Sequence, residues 1–166
     1  MLFNVSGLLR SEVGATRNYI LEPEEPVLAG RVELIRVPTG VLVRCHASVI
    51  LEAQCSRCLV PFCYPAEIGF EEIYQQQFDL IAGHRVELEE SDDGFLIELD
   101  NTIDIREGVR QYSEMAAEMR PLCQPDCPGI CPLCGSDLNI APCQCDRTPA
   151  DPRWAALFAL QRSNNG

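Results

Sequence analysis

The chain contains no lysine: all 13 basic residues are arginine, set against 25 acidic residues, for a formal net charge of −12 and an isoelectric point near 4.5. An acidic surface repels phosphate, and no stretch interleaves basic with aromatic residues, so composition argues against a broad nucleic-acid interface. No run approaches the ~20 apolar residues of a membrane-crossing helix. The first residues, MLFNVSGLLRSEVG, lack a charged leader ahead of a long apolar run, so no secretory signal is expected there and a cytoplasmic protein with reduced thiols is. A Gly-rich phosphate loop, a Ser-His-Asp arrangement and a paired-carboxylate site are all missing. The two histidines, His46 and His84, stand far apart, so no enzymatic activity is expected.

Cysteine, by contrast, is abundant: ten of 166 residues. Six lie between Cys123 and Cys145, at Cys123, Cys127, Cys131, Cys134, Cys143 and Cys145, spaced C-x3-C-x3-C-x2-C-x8-C-x-C. Pro125, Pro128, Pro132 and Pro142 break any helical or strand period, and Gly129 and Gly135 supply turns. Such a loop needs disulfides or a metal to hold it, and reduced thiols favour the metal. In Cys131-Pro132-Leu133-Cys134-Gly135 the two sulfurs point toward one ion and the glycine frees the backbone to close around it, as in a zinc knuckle. Cys143 with Cys145, or Cys123 with Cys127, are the candidates to complete the tetrahedron. Four thiolates leave no coordination position for water, so the expected Zn²⁺ is structural. A further C-x2-C, Cys55 to Cys58, offers a second pair; with Cys123 and Cys127 it would make a second set of four, for one or two ions in total. Cys55-Ser56-Arg57-Cys58 also has the spacing of a thioredoxin-type redox motif, but it follows a strand and no helix pattern comes after it.

Period-two alternation is clearest at Val41, Val43, Cys45, Ala47, Val49, Leu51 and Ala53, a long half-buried strand. Arg31–Val37 and the Pro38-Thr39-Gly40 turn make it a hairpin. Weaker strands are expected over 3–10, 66–78 and 95–99. Cys45 and Cys63 read as small core or edge hydrophobes. Ile105, Val109, Tyr112, Ala116 and Met119, spaced 4, 3, 4, 3, predict a helix near 104–119, capped by Asp104 or Thr102 and ended by Pro121. Asp151-Pro152 opens a short C-terminal helix carrying Trp154, Leu157 and Phe158. The expected fold is therefore α+β: an antiparallel β-rich domain over 1–120 with one packed helix, then a cysteine-rich zinc-binding tail over 121–166.

Charge is uneven. Residues 67–107 hold 13 acids against 2 bases, whereas 1–66 balance and 108–166 nearly do. The acidic cluster Glu87, Glu89, Glu90, Asp92 and Asp93 is either a solvated face or a contact surface for a basic partner.

Two pieces read together, CSRCL after the long strand and LCQPDCPGICPLCGSDLN…CQCD before DPRWAAL, resemble the bacterial YceD family of large ribosomal RNA subunit accumulation proteins. The likeness runs from the first hairpin to the final helix. It implies a non-enzymatic role in making or keeping 23S ribosomal RNA. It also implies a partner, since the family's gene commonly sits beside that of a small zinc-binding large-subunit ribosomal protein. Some members lack most tail cysteines, which moves weight to Cys55, Arg57 and Cys58. The expected partner is a large-subunit ribosomal protein or a pre-ribosomal particle, with direct rRNA binding through Arg57, Arg120 and Arg147 as the alternative.

Overall fold

A computed structural model describes residues 1–78, 83, 85–86, 94–145 and 153. The fold is α+β. In chain order the elements are β1 (Leu2–Asn4), α1 (Ser6–Leu9), β2 (Thr16–Leu21), β3 (Val27–Val37), β4 (Gly40–Gln54), β5 (Pro61–Gln75), β6 (Thr102–Asp104) and α2 (Arg106–Ala116). They form a four-stranded sheet of order β2-β3-β4-β5 and a two-stranded β1-β6 sheet. The chain divides into two compact units, Met1–Ala53 with Pro61–Pro121, and Gln54–Val60 with Leu122–Gly166.

The first unit is built on apolar burial. Val41, Val43, Cys45, Ala47, Val49 and Leu51 of β4 all face the core, so the alternation in the sequence is the alternation in space. β3 and β4 pair antiparallel, from Val27 opposite Val49 to Val37 opposite Gly40, with a bulge between Val27 and Ala29. Cys45 is a core residue whose thiol burial pushes up to about 11; Cys63 is exposed on edge strand β5. Arg36 is buried without a carboxylate. Its Nε donates to the carbonyl of Leu9 at 3.2 Å, and Nη1 donates to those of Gly40 at 2.9 Å and of Val37. It thereby ties α1 to the β3–β4 turn.

Helix α2 lies on β5. Val109 is buried, Tyr112 stacks on Phe70 with ring centroids 4.9 Å apart, and a Cβ at Gly108 would meet Phe70 Cζ at 3.0 Å. Only a glycine lets the helix approach that ring so closely.

Several expectations need correcting. The strand expected over 3–10 is β1 followed at once by α1. Asn4 Oδ1 accepts from Ser6 N–H at 3.1 Å and Ser6 Oγ at 2.7 Å, an Asx-type turn that stops the strand. Val5, Leu8 and Leu9, spaced for a helix, then fill the core. Residues 95–99 make a single parallel bridge, Leu96 with Gln75, rather than a strand. The last strand of the main sheet starts at Pro61 and ends at Gln75. Helix α2 stops at Ala116 because Ala117 is extended (φ −63°, ψ 133°), so Ala116 and Met119 are exposed rather than packed. Asp104 does serve the helix start, Oδ1 accepting from Arg106 N–H at 3.0 Å. Strand β2 carries almost no alternation, being exposed along most of its length, and was not foreseen. The helix expected from Asp151 lies outside the described residues, apart from Arg153.

Candidate metal centres

In the second unit sulfur takes the place of a core. Eight cysteines sort into two groups: Cys55, Cys58, Cys123 and Cys127, and Cys131, Cys134, Cys143 and Cys145. Within each group every Sγ lies within 4.8 Å of the others. Cys55 Sγ is 3.8 Å from Cys127 Sγ, and Cys58 Sγ is 3.6 Å from Cys123 Sγ. Four sulfurs at about 2.3 Å from a tetrahedral ion stand about 3.8 Å from one another. The spacing and the all-sulfur donor set therefore fit a thiophilic divalent cation, and each cluster could hold one metal ion. None of these cysteines forms a disulfide.

Each group is opened by the same local device. In Cys55–Val60, Leu59 N–H donates to Cys55 O at 2.9 Å and Cys55 N–H to Val60 O at 3.0 Å. In Cys131–Ser136, Gly135 N–H donates to Cys131 O at 2.9 Å and Cys131 N–H to Ser136 O at 2.8 Å. The residue after the second cysteine is left-handed in both, φ 64° at Leu59 and 73° at Gly135. These are two copies of one knuckle, and the glycine expected to permit the turn is present in only one of them.

The groupings were open in the sequence, and tertiary structure brings the sulfurs together in these two sets. Arg57 Nη1 donates to Cys127 O at 2.8 Å, and Arg57 O accepts from Ile130 N–H at 3.1 Å. Gly129 (φ 77°) makes this approach possible, because a Cβ there would lie 2.9 Å from Arg57 O. The 54–60 segment is thus clasped to 127–130, which carries Cys55 and Cys58 to Cys123 and Cys127. Asn139 Nδ2 donates to Cys127 Sγ at 3.5 Å and to Asp137 Oδ1 at 2.7 Å, and its Oδ1 accepts from Gln124 Nε2 at 2.9 Å. Cys134 Sγ lies 3.2 Å from Ser136 Oγ. Asn139 and Ser136 were missed as supporting residues, and Gly129, expected only as a turn residue, also admits the backbone of Arg57. The one signal for them was a Gly or polar residue close to each cysteine pair.

Crowded thiols oppose one another's ionisation. Desolvation, then the sulfurs of Cys58 and Cys127, pushes Cys123 up to about 12; the Cys134 sulfur, then desolvation, does the same to Cys145. In each group one thiol moves the other way. At Cys55 desolvation is outweighed by N–H groups of Cys123, Cys58 and Arg57, which bring it down to about 6; Ser136 lowers Cys134. One thiolate per group is stabilised by local donors, whereas Cys123 and Cys145 would give up their protons more readily beside a cation.

The acidic candidates Glu87, Glu89, Glu90, Asp92 and Asp93 lie outside the described residues, as do His84 and Arg147. Arg57 and Arg120 are exposed. No helix among the described residues is long and apolar enough to cross a membrane.

Comparison with known proteins matches residues 43–161 to the family described as large ribosomal RNA subunit accumulation protein YceD. That span starts within β4 and takes in all eight clustered cysteines. Uncharacterised proteins of Mycobacterium tuberculosis and Mycobacterium bovis are 31% identical over 124 residues, 75% of this chain and 57% of theirs. One from Mycobacterium leprae is 26% identical over 121 residues, 73% of this chain and 53% of its own. The chain thus spans a little over half the length of these relatives. No solved structure gives a significant match. The family's name is that of an accumulation factor, not of an enzyme, and links it to the RNA of the large ribosomal subunit. The chain belongs to the YceD family of large ribosomal RNA subunit accumulation proteins.

Proposed function

We propose that this chain is a non-enzymatic, cytoplasmic factor for accumulation of 23S rRNA, and that it acts by binding a basic large-subunit ribosomal protein or a pre-ribosomal particle. Two structural Zn²⁺ ions would hold its second unit, one on Cys55, Cys58, Cys123 and Cys127, the other on Cys131, Cys134, Cys143 and Cys145. The observation that carries this is the sorting of eight sulfurs into two closed sets of four. A four-sulfur set has no position left for a water or substrate, which is the chemistry of a scaffold. The chain falls into a tail domain built by the ions and a β-rich domain before it, with residues 54–60 lent to the former.

The partner reading rests on charge. The 13 acids against 2 bases in residues 67–107 favour an arginine- and lysine-rich partner, with Glu87, Glu89, Glu90, Asp92 and Asp93 as its contacts. Arg57 contributes mainly by bracing the first cluster, since its guanidinium is already engaged on Cys127 O. The lowered Cys55 thiol belongs to a ligand rather than a redox nucleophile: three sulfurs close around it, and no helix follows Cys58. Insulin reduction by the purified chain is therefore expected to be absent.

The deciding experiment is affinity capture of the tagged chain at graded salt. Large-subunit components should be recovered at low salt and fall away as salt rises. Elemental analysis of the same preparation should give two zinc ions per chain. Recovery of no ribosomal component at low salt would end the partner reading.

A further inference from the structure

One groove of the first unit is not used by anything above. It has a volume of about 340 Å³ and runs along α2, lined by Val109 and Ser113 of the helix, by Ala117 just past its end, and by Pro26 and Leu51. Its walls are mainly apolar. Ser113 is only 7% exposed, and its Oγ is a buried hydroxyl with no hydrogen-bond partner among the described residues. A buried donor without an acceptor is costly and rare in folded proteins. Ser113 lines the groove, so rotation about its Cα–Cβ bond would turn that hydroxyl toward a peptide carbonyl seated there.

The rim is acidic once its ion pairs are counted. Arg106 is paired with Asp104, and Arg110 with Glu107 and Glu114, so both guanidiniums are already offset. The amino group of Met1 lies 3.8 Å from Glu24 and 3.9 Å from Asp104. Glu25 and Glu52, on the same rim, form no ion pair among the described residues. A groove with apolar walls, a buried donor lacking an acceptor and two unpaired carboxylates at its mouth complements an extended peptide bearing an apolar side chain flanked by cations.

We propose that the α2 groove is the docking site for such a segment of the basic partner: an apolar side chain enters between Val109 and Leu51, a backbone carbonyl accepts from Ser113 Oγ, and flanking arginines or lysines meet Glu25 and Glu52. This rests on the reading of the chain as a binder of a basic ribosomal protein, and adds where and by what chemistry the partner is held.

The test uses the full chain and a fluorescein-labelled hexapeptide, Arg-Lys-Leu-Leu-Arg-Lys, titrated by anisotropy at low salt. Saturable binding is expected, with ¹⁵N shifts at Leu51, Val109 and Ser113. The double variant Glu25→Gln/Glu52→Gln, changed only on the rim, should bind about tenfold more weakly, as removal of facing charges does. Replacing both peptide leucines by serine should weaken binding at least as much. Ser113→Phe, which fills the groove, should abolish the shifts. No binding, unchanged affinity in the rim variant, or shifts that avoid α2 would each overturn the groove. Capture of large-subunit components separates this from the broader reading. Full recovery by the rim variant removes the groove alone. Peptide binding in the groove without any ribosomal recovery removes the broader reading alone.

Discussion

The two units of this chain solve the problem of staying folded by different means. The first buries Leu34, Val43, Val49, Ile103 and Tyr74 in a common core. The second, among its described residues, buries little besides cysteine: Cys55, Cys58, Cys127 and Cys131 are its buried hydrophobic positions, while Leu59, Val60, Ile130, Leu133 and Ile140 are exposed. Apolar burial yields roughly 25 cal/mol per Å² and needs many residues to accumulate. A structural zinc site supplies an apparent ~10–16 kcal/mol from four. A segment broken by prolines, with little apolar surface to bury, would be ordered by a few such bonds if its two sulfur clusters hold ions.

Metal removal should break that symmetry most. With a chelator the amide spectrum of residues 54–60 and 122–145 should collapse, while β3, β4 and α2 keep their dispersion. If both sets of resonances survived, the metal reading of the second unit would be wrong. Acid should act in the same direction. Metal-free Cys123 and Cys145, each pushed up to about 12, hold their protons at neutral pH, so binding must expel them. Affinity should therefore rise from pH 6 to pH 8 in competition with a chromogenic chelator.

Next in size come single ligands, and here the two clusters differ from each other. Cys127 is buried and carries the clasp to Arg57, whereas Cys143 is only half-buried and its ligand partners lie within 131–145. Cys127→Ser should release one ion and free the 54–60 segment as well. Cys143→Ser should release one ion and leave that segment's amide shifts unchanged. Equal spectral damage from both would argue that the clusters are not separate. Leu34→Ala supplies the reverse control. It should cost about 2–5 kcal/mol in denaturant unfolding of the first unit with zinc content untouched, since Leu34 is fully buried there.

What could be read in advance followed the same division. The β4 alternation was plain because a half-buried strand writes its environment at every second residue, and the C-x2-C knuckles were plain because their chemistry is local. The assignment of Cys123 and Cys127 to Cys55 and Cys58 was not, since it depends on Gly129 accepting a backbone contact from Arg57 many residues away. Strand β2 was missed because its exposed face leaves no period. The segment after Asn4 was misread because a side-chain hydrogen bond, not hydrophobic pattern, decides where β1 stops. The end of α2 was set too late because Ala116 and Met119 continue the stripe in sequence but not in space.

The smallest expected effect comes from the one place where the two knuckles disagree. Leu59 and Gly135 occupy equivalent positions with nearly the same left-handed φ, yet only glycine adopts it without a Cβ clash. Leu59 is 52% exposed, so its side chain recovers little by burial. Leu59→Gly should therefore stabilise the first cluster, relieving about 1–2 kcal/mol of backbone strain against up to about 1 kcal/mol of added unfolded-state entropy. The reading is a modestly slower loss of zinc to a chelator, by no more than a few-fold. Gly135→Leu should do the opposite by a similar amount, because it adds the same left-handed strain at the second knuckle. A faster loss from Leu59→Gly would mean that the leucine side chain itself holds the knuckle, and that the two turns share hydrogen bonds but not energetics.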